Sequence, residues 1–369
     1  MICKLRAPIH VTQTARMPRS LRFLLCLTCL ISVPAIVFAS DAPIRGAGSS
    51  AAKYVYQAWG QRFLAQTGIA LEYEAVGSSE GIRRIIDRKV QFGASDVAPD
   101  QTVLDQQSLV LVPTVVTGAV PVVNLPDLTG VRLKLDGPTL AAIFSGDIVR
   151  WDAPGIAALN TDIQLPALPI HPVARADGSG TTHNFTDYLS KVSPQWRDAF
   201  GTGKQILWAE GVATAKGSGG VVSALQRTPG GITYVDHSYV LKHDLTPVTM
   251  RNKDGRFVAP ATETFRSALM NSPWQTAGDF SQTLTDMPGA ESWPITMGTF
   301  VLLPRTIGEH EAGRDIVRFF LWAFMNGDAL AAEADFVRLP DPVQAKAYKA
   351  LASIRDGAGN VLAYDALAK

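Results

Sequence analysis

The stretch Arg175-Ala-Asp-Gly-Ser-Gly-Thr181 sets a guanidinium, small flexible residues and two hydroxyls at what reads as the start of a helix. The first turn of a helix has backbone N–H groups without intrahelical partners, and its dipole favours negative charge. Such a place is suited to an anion. Arg175 adds a planar fork that matches a tetrahedral oxyanion, and Asp177 is placed to orient it through an ion pair. Two more Gly/Ser loops, 46–50 and 77–81, also follow a strand pattern and precede a helical one. Any one of the three loops reads equally well as a helix cap. Together they offer the hydroxyls of Ser50, Ser78, Ser179 and Thr181, with backbone N–H groups near Ala51 and Gly180.

Asp96 ends a further strand pattern, Val90 to Ala94, and is the odd member of the set. A carboxylate accepts hydrogen bonds and cannot donate them. It therefore suits an oxyanion that still carries a proton. Phosphate and arsenate do at neutral pH, and sulfate does not. A buried site built around one obligate acceptor can discriminate by ~10⁴–10⁵ against a ligand that leaves it unpaired.

The elements that must position these residues follow from spacing. Ala51 to Gln66 carries Val55, Ala58, Trp59 and Phe63 at helical intervals and stops at Gly68. Ile69 to Val76 alternates as a strand, and a second helix begins around Ile82 after the 77–81 loop. Helices are also expected at Thr139–Phe144, Pro154–Leu159, Thr182–Leu189, Val221–Gln226 and Arg314–Asn326. Ile170 to Ala174 and Gly231 to Val235 read as strands. This alternation predicts an α/β fold with a largely parallel sheet, and ligands of such folds sit outside the carboxyl ends of the strands. Two long apolar runs, Leu109 to Leu125 and Trp293 to Leu303, read as strands passing between two lobes.

The motifs Gly46-Ala-Gly-Ser-Ser50, Gly77-Ser-Ser79, Phe92-Gly-Ala-Ser-Asp96, Arg175 to Thr181, Gly231-Ile-Thr-Tyr-Val235 and Trp293-Pro-Ile-Thr296 occur in the order and spacing of a known family. The chain resembles the periplasmic phosphate-binding proteins of phosphate-specific ABC transporters over nearly all of residues 41–369. The resemblance implies a type II periplasmic binding protein, two α/β lobes joined by two hinge strands. On that reading 41–115 and 297–369 form lobe 1 and 116–296 form lobe 2. It also implies phosphate contacts at Ser50, Ala51, Ser78, Asp96, Arg175, Ser179, Gly180 and Thr181, with Asp177 behind Arg175. No cofactor and no metal are implied, and the partners are inorganic phosphate and a membrane permease. The family commonly carries Thr-Phe or Ser-Phe at 50–51; here Ser50 keeps the hydroxyl and Ala51 lacks the ring.

Composition narrows the setting. The chain has 369 residues and is about half hydrophobic, enough for two lobes. Five of its 34 basic residues and none of its 33 acidic ones lie in the first 40 positions, so the remainder carries a net charge of −4. Those basic residues precede the apolar run Phe23 to Phe38, and small residues follow it. The pattern predicts a secretory signal peptide over 1–40, cut after Ala39 or Ser40, with Met17 an alternative start. The run is shorter than the ~20 residues a membrane span needs. All three cysteines, Cys3, Cys26 and Cys29, fall in that leader, so thiolate zinc sites are excluded from the rest.

Rival readings find little support. The G-x-S-x-G elbow is absent around Ser179, H-E-x-x-H is missing, and Gly201-Thr-Gly-Lys204 lacks the leading glycine and trailing hydroxyl of a P-loop. A net-negative body without a basic stripe argues against nucleic acid. The expectation is a non-enzymatic, monomeric phosphate receptor of the periplasm. The alternative is a secreted paralogue with a sensing or phosphatase-like role.

Overall fold

The computed structural model describes residues 42–128, 130 and 132–367. The expected leader and its three cysteines lie outside them. The architecture centres on one nine-stranded mixed sheet. Its strands are β1 (Ile44–Gly48), β2 (Leu71–Ala75), β3 (Phe92–Ser95), β4 (Leu109–Asn124), β5 (His171–Arg175), β6 (Ala213–Ala215), β7 (Gly231–Asp236), β8 (Thr246–Pro247) and β9 (Thr296–Pro304). Their order is β2-β1-β3-β9-β4-β7-β5-β6, with β8 also on β4.

The sheet is less parallel than expected. β1 runs parallel to β2 and β3, and β5 runs parallel to β6 and β7. Between these parallel groups lie the two long apolar strands. β9 is antiparallel to both β3 and β4, and β4 is antiparallel to β7. Along β4, residues from Leu109 to Gly118 pair with β9, and those from Ala119 to Asn124 pair with β7. One strand thus belongs to both halves of the sheet. Nearly every side chain of β4 and β9 is buried, so they read as continuous apolar runs. The β4–β9 register slips between Thr299 and Phe300, opposite Val115 and Pro113. A bulge there suits Pro113, which has no N–H for the ladder.

Helices α1 (Lys53–Thr67), α2 (Ser78–Ile86), α3 (Gly180–Val192), α4 (Gly217–Gln226) and α5 (His310–Asn326) cover the sheet or open at its strand ends. α1 buries Val55, Tyr56, Trp59 and Phe63, and stops at left-handed Gly68, whose N–H reaches the Leu64 carbonyl at 2.9 Å. Tyr56 meets Phe92 of β3 and Phe320 of α5 edge-on. On the other half, Phe185 of α3 stacks on Tyr234 of β7 with ring centres 4.1 Å apart.

Several boundaries move from their sequence expectations. α2 starts at Ser78, inside the loop read as 77–81, and α4 starts at Gly217 rather than at Val221. α3 begins at Gly180, within the motif itself. Glycine is a poor helix former, so apolar spacing begins later than the helix does. Conversely, the strand expected from Trp293 begins at Thr296, because Pro294 cannot donate to a ladder. Among the described residues no helix is long and apolar enough to cross a membrane.

Candidate functional site

Five chain segments converge where β1, β2, β3 and β5 end and α1, α2, α3 and α4 begin. Asp96 follows β3 directly and is buried. Its Oδ1 accepts from Ser49 Oγ at 2.6 Å and from Thr299 Oγ1 at 2.7 Å. Its backbone N–H donates to Ser78 Oγ at 3.2 Å, and its carbonyl accepts from Asn184 Nδ2 at 2.9 Å. Burial raises the Asp96 carboxyl above the ordinary carboxylate range. The Ser49 and Thr299 hydroxyls and the charge of Arg175 pull the other way.

Ser78 opens α2. Its Oγ accepts the N–H of Asp96 and that of Gly180, the latter at 3.1 Å. With both acceptor positions occupied, its own hydrogen is left to donate. Gly77 before it has φ +94°, and a Cβ there would lie 2.5 Å from Asp177 Oδ2. Only glycine lets the 77–79 loop lie this close to the arginine motif. The Ser79 N–H completes the contact by donating to the Gly178 carbonyl at 3.0 Å.

Arg175 closes β5 and is only 2% exposed. Its Nε and Nη2 donate to the two oxygens of Asp177 at 2.8 and 2.5 Å, and Nη1 donates to Ser218 Oγ at 3.3 Å. The fork read from sequence as an oxyanion clamp is thus spent on Asp177. Nη1 is the nitrogen that reaches the hydroxyls of the site. Burial drives the Asp177 carboxyl up, but the Arg175 hydrogen bonds and charge prevail and hold it below its ordinary value. The Gly217 N–H at the head of α4 adds a further hydrogen bond to Asp177 at 2.8 Å.

Ser179 caps α3, its Oγ accepting the Thr182 N–H at 3.2 Å. The buried Thr181 Oγ1 has no hydrogen-bond partner. A buried hydroxyl without a partner calls for a ligand or water. On the β1–α1 loop, Ser50 Oγ meets Ser218 Oγ at 2.8 Å, and the Ala51 N–H donates to Ser49 Oγ at 3.1 Å. All eight residues expected to touch the ligand are buried and lie on these converging segments. Gly180 is the tightest point. A Cβ there would fall 2.6 Å from Ser78 Oγ and 2.9 Å from the Asp96 backbone nitrogen. Gly180→Val should therefore push α3 away from Asp96. Overpacking on the order of 1–3 kcal/mol would weaken anion binding roughly 10- to 100-fold in calorimetry, with the fold kept by circular dichroism.

Sequence reasoning missed four polar residues here. Ser49 and Ser50 are adjacent serines on a loop, indistinguishable without a backbone direction. Thr299 lies inside a largely apolar strand, and only the β3–β9 register sets it beside Asp96. Ser218 heads a fourth Gly/Ser helix start, a signal that was legible. Asp236 ends β7 with Oδ1 accepting from Ser238 and with Oδ2 lacking a partner. Burial and the nearby Asp96 charge push it up to about 7, against the Ser238 hydrogen bond. Among the described residues no group of three or more His, Cys, Asp or Glu is placed to hold a metal.

Known proteins share sequence and fold with this chain. A family model described as a PBP superfamily domain matches residues 34–284. The chain is 40% identical over 300 residues to the phosphate-binding protein PstS of Pasteurella multocida, covering 81% of this chain and 87% of the relative. It is 38% identical to PstS of Haemophilus influenzae, covering 85% and 94%. A solved high-affinity periplasmic phosphate-binding protein with phosphate bound shares the fold at a TM-score of 0.67 and 21% identity, over 89% of this chain and 98% of that one.

Proposed function

The chain belongs to the PstS family of phosphate-binding proteins, and from that premise we propose that it is a receptor for inorganic phosphate that serves an ABC transporter permease. The observation that carries this reading is the pairing of a buried acceptor, Asp96, with the head of α3 and the charge of Arg175 around the unpartnered Thr181 hydroxyl. Donors from Ser50, Ser78, Ser179, Thr181 and Arg175 would serve the unprotonated oxygens, while the N–H groups of Ala51 and Gly180 line the site and hold the hydroxyls of Ser49 and Ser78. Asp96 would accept the remaining proton. Nothing needs to react, because no step requires a nucleophile or metal. The molecule would hold its ligand and release it unchanged.

On this reading residues up to 115 and from 297 form one lobe and 116–296 the other, with β4 and β9 as hinge strands. Ser50, Ser78 and Asp96 then come from one lobe and Arg175 to Thr181 from the other. A ligand bridging both would favour the closed arrangement over the open one. The protein would act as a monomer in the periplasm after removal of residues 1–40, with no affinity for nucleic acid. With a net charge of −4 outside the leader, binding would rest on local donors rather than on the overall field.

Calorimetric titration of the mature protein tests the reading. Phosphate should bind with one-to-one stoichiometry, arsenate should compete, and sulfate should bind weaker by about 10⁴-fold. Equal affinity for sulfate, or phosphoester hydrolysis abolished by Ser179→Ala, would overturn it.

A further inference from the structure

Resting on the phosphate reading above, we propose that Ser49 and Thr299 are positioning residues that hold Asp96 as a hydrogen-bond acceptor and assign its Oδ2 to the proton of the ligand. Both hydroxyls donate to Oδ1, at 2.6 and 2.7 Å, and so fill the two lone pairs of that oxygen. The capacity to accept from a ligand then rests with Oδ2. The Ser49 donor is not free to turn round. Ser49 Oγ itself accepts the N–H groups of Ala51 and Ala52, at 3.1 and 3.4 Å, at the head of α1. Its hydrogen therefore points to Asp96, polarised by the positive end of the helix. Thr299 precedes Phe300, which pairs with Ser95 in the antiparallel β3–β9 ladder, so the register sets its hydroxyl beside Asp96.

Two opposed tendencies meet at Asp96. Burial favours the neutral acid, and a neutral acid would donate to any oxyanion, sulfate included. The hydroxyls favour the ionised acceptor. The other charged and titratable groups that act on Asp96 are Arg175 of β5, which favours the ion, and Asp236 of β7, which opposes it. Tyr56 of α1 and Tyr73 of β2 stand nearby, held neutral by burial. Ser49 and Thr299, ahead of Arg175 and the Ser78 hydrogen bond, thus help set how far the pH can fall before discrimination is lost.

Sulfate reports this directly, because it does not itself titrate between pH 5 and 8. In the wild-type protein sulfate affinity should rise only toward the acid end of that range, as Asp96 gains a proton. In Ser49→Ala, in Thr299→Val and most in the double variant, the rise should begin at a pH higher by about one unit for each hydroxyl removed. Phosphate-over-sulfate selectivity on the acid side of neutrality should fall by up to about tenfold for each. Thr299→Ser, which keeps the donor, should restore the wild-type profile. If phosphate and sulfate weaken equally and the sulfate midpoint stays put, the two residues only pack and the assignment is wrong. Each single variant stands by itself if the double variant does not fold. Wild-type protein that binds no phosphate would sink the functional reading. Wild-type binding with unmoved variant midpoints would sink only this inference.

Discussion

Asp96→Asn should erase most of the discrimination between phosphate and sulfate while leaving an anion site behind. The hydroxyls of Ser49 and Thr299 both donate to one oxygen of the side chain. An asparagine placed there would turn its carbonyl to those donors and its amide nitrogen to the ligand. The group facing the oxyanion would then change from an obligate acceptor to a donor. Sulfate would gain a hydrogen bond and lose the repulsion of a buried carboxylate. Phosphate would lose the acceptor for its proton. A preference of about 10⁴ should collapse to within about tenfold of unity, read as the ratio of dissociation constants from calorimetry. Most of the change should come from tighter sulfate. A ratio unchanged from wild type would show that Asp96 does not read the proton.

Arg175→Ala should cost phosphate affinity a factor of roughly 10²–10³ or more, and stability with it. The side chain is 2% exposed and carries three hydrogen bonds, two to Asp177 and one to Ser218. Removing one partner of a buried ion pair strands the other and costs about 3–5 kcal/mol. Asp177 would keep the Gly217 N–H but no cation. Its carboxylate would then repel an incoming anion from within the site. Arg175→Lys should recover little, because a point charge cannot fork both oxygens of Asp177 while reaching Ser218. Calorimetry and thermal unfolding separate the two effects. Near-normal binding in Arg175→Ala would mean that the helix head of α3 suffices by itself.

Much of the site was legible because it is made of local chemistry. Helix starts need caps and close approaches need glycine, so Gly77, Ser78, Ser179 and Gly180 announce themselves by residue type. Asp96 stood out as an acid among donors, and Asp177 as an acid two residues from an arginine. Ala51 illustrates the limit of such reading. Its missing ring is plain in the sequence, yet which of the two adjacent serines takes its N–H depends on the conformation of the loop.

What the sequence determined by itself is the set of segments: strand ends, helix heads and the residue types they carry. These follow from backbone sterics, capping and periodicity, which act over a few residues. Only the tertiary structure decided which oxygen meets which donor. Thr299 lies 203 positions from Asp96 and is set beside it by the β3–β9 register, and Ser218 lies 168 positions from Ser50. Contacts at such separations depend on sheet order and strand register, and those are set by burial summed over the whole core rather than by any local pattern. The motif Arg175 to Thr181 reads as an anion site from its residue types alone. The fold gave its arginine fork to Asp177 and fixed the orientation of Asp96.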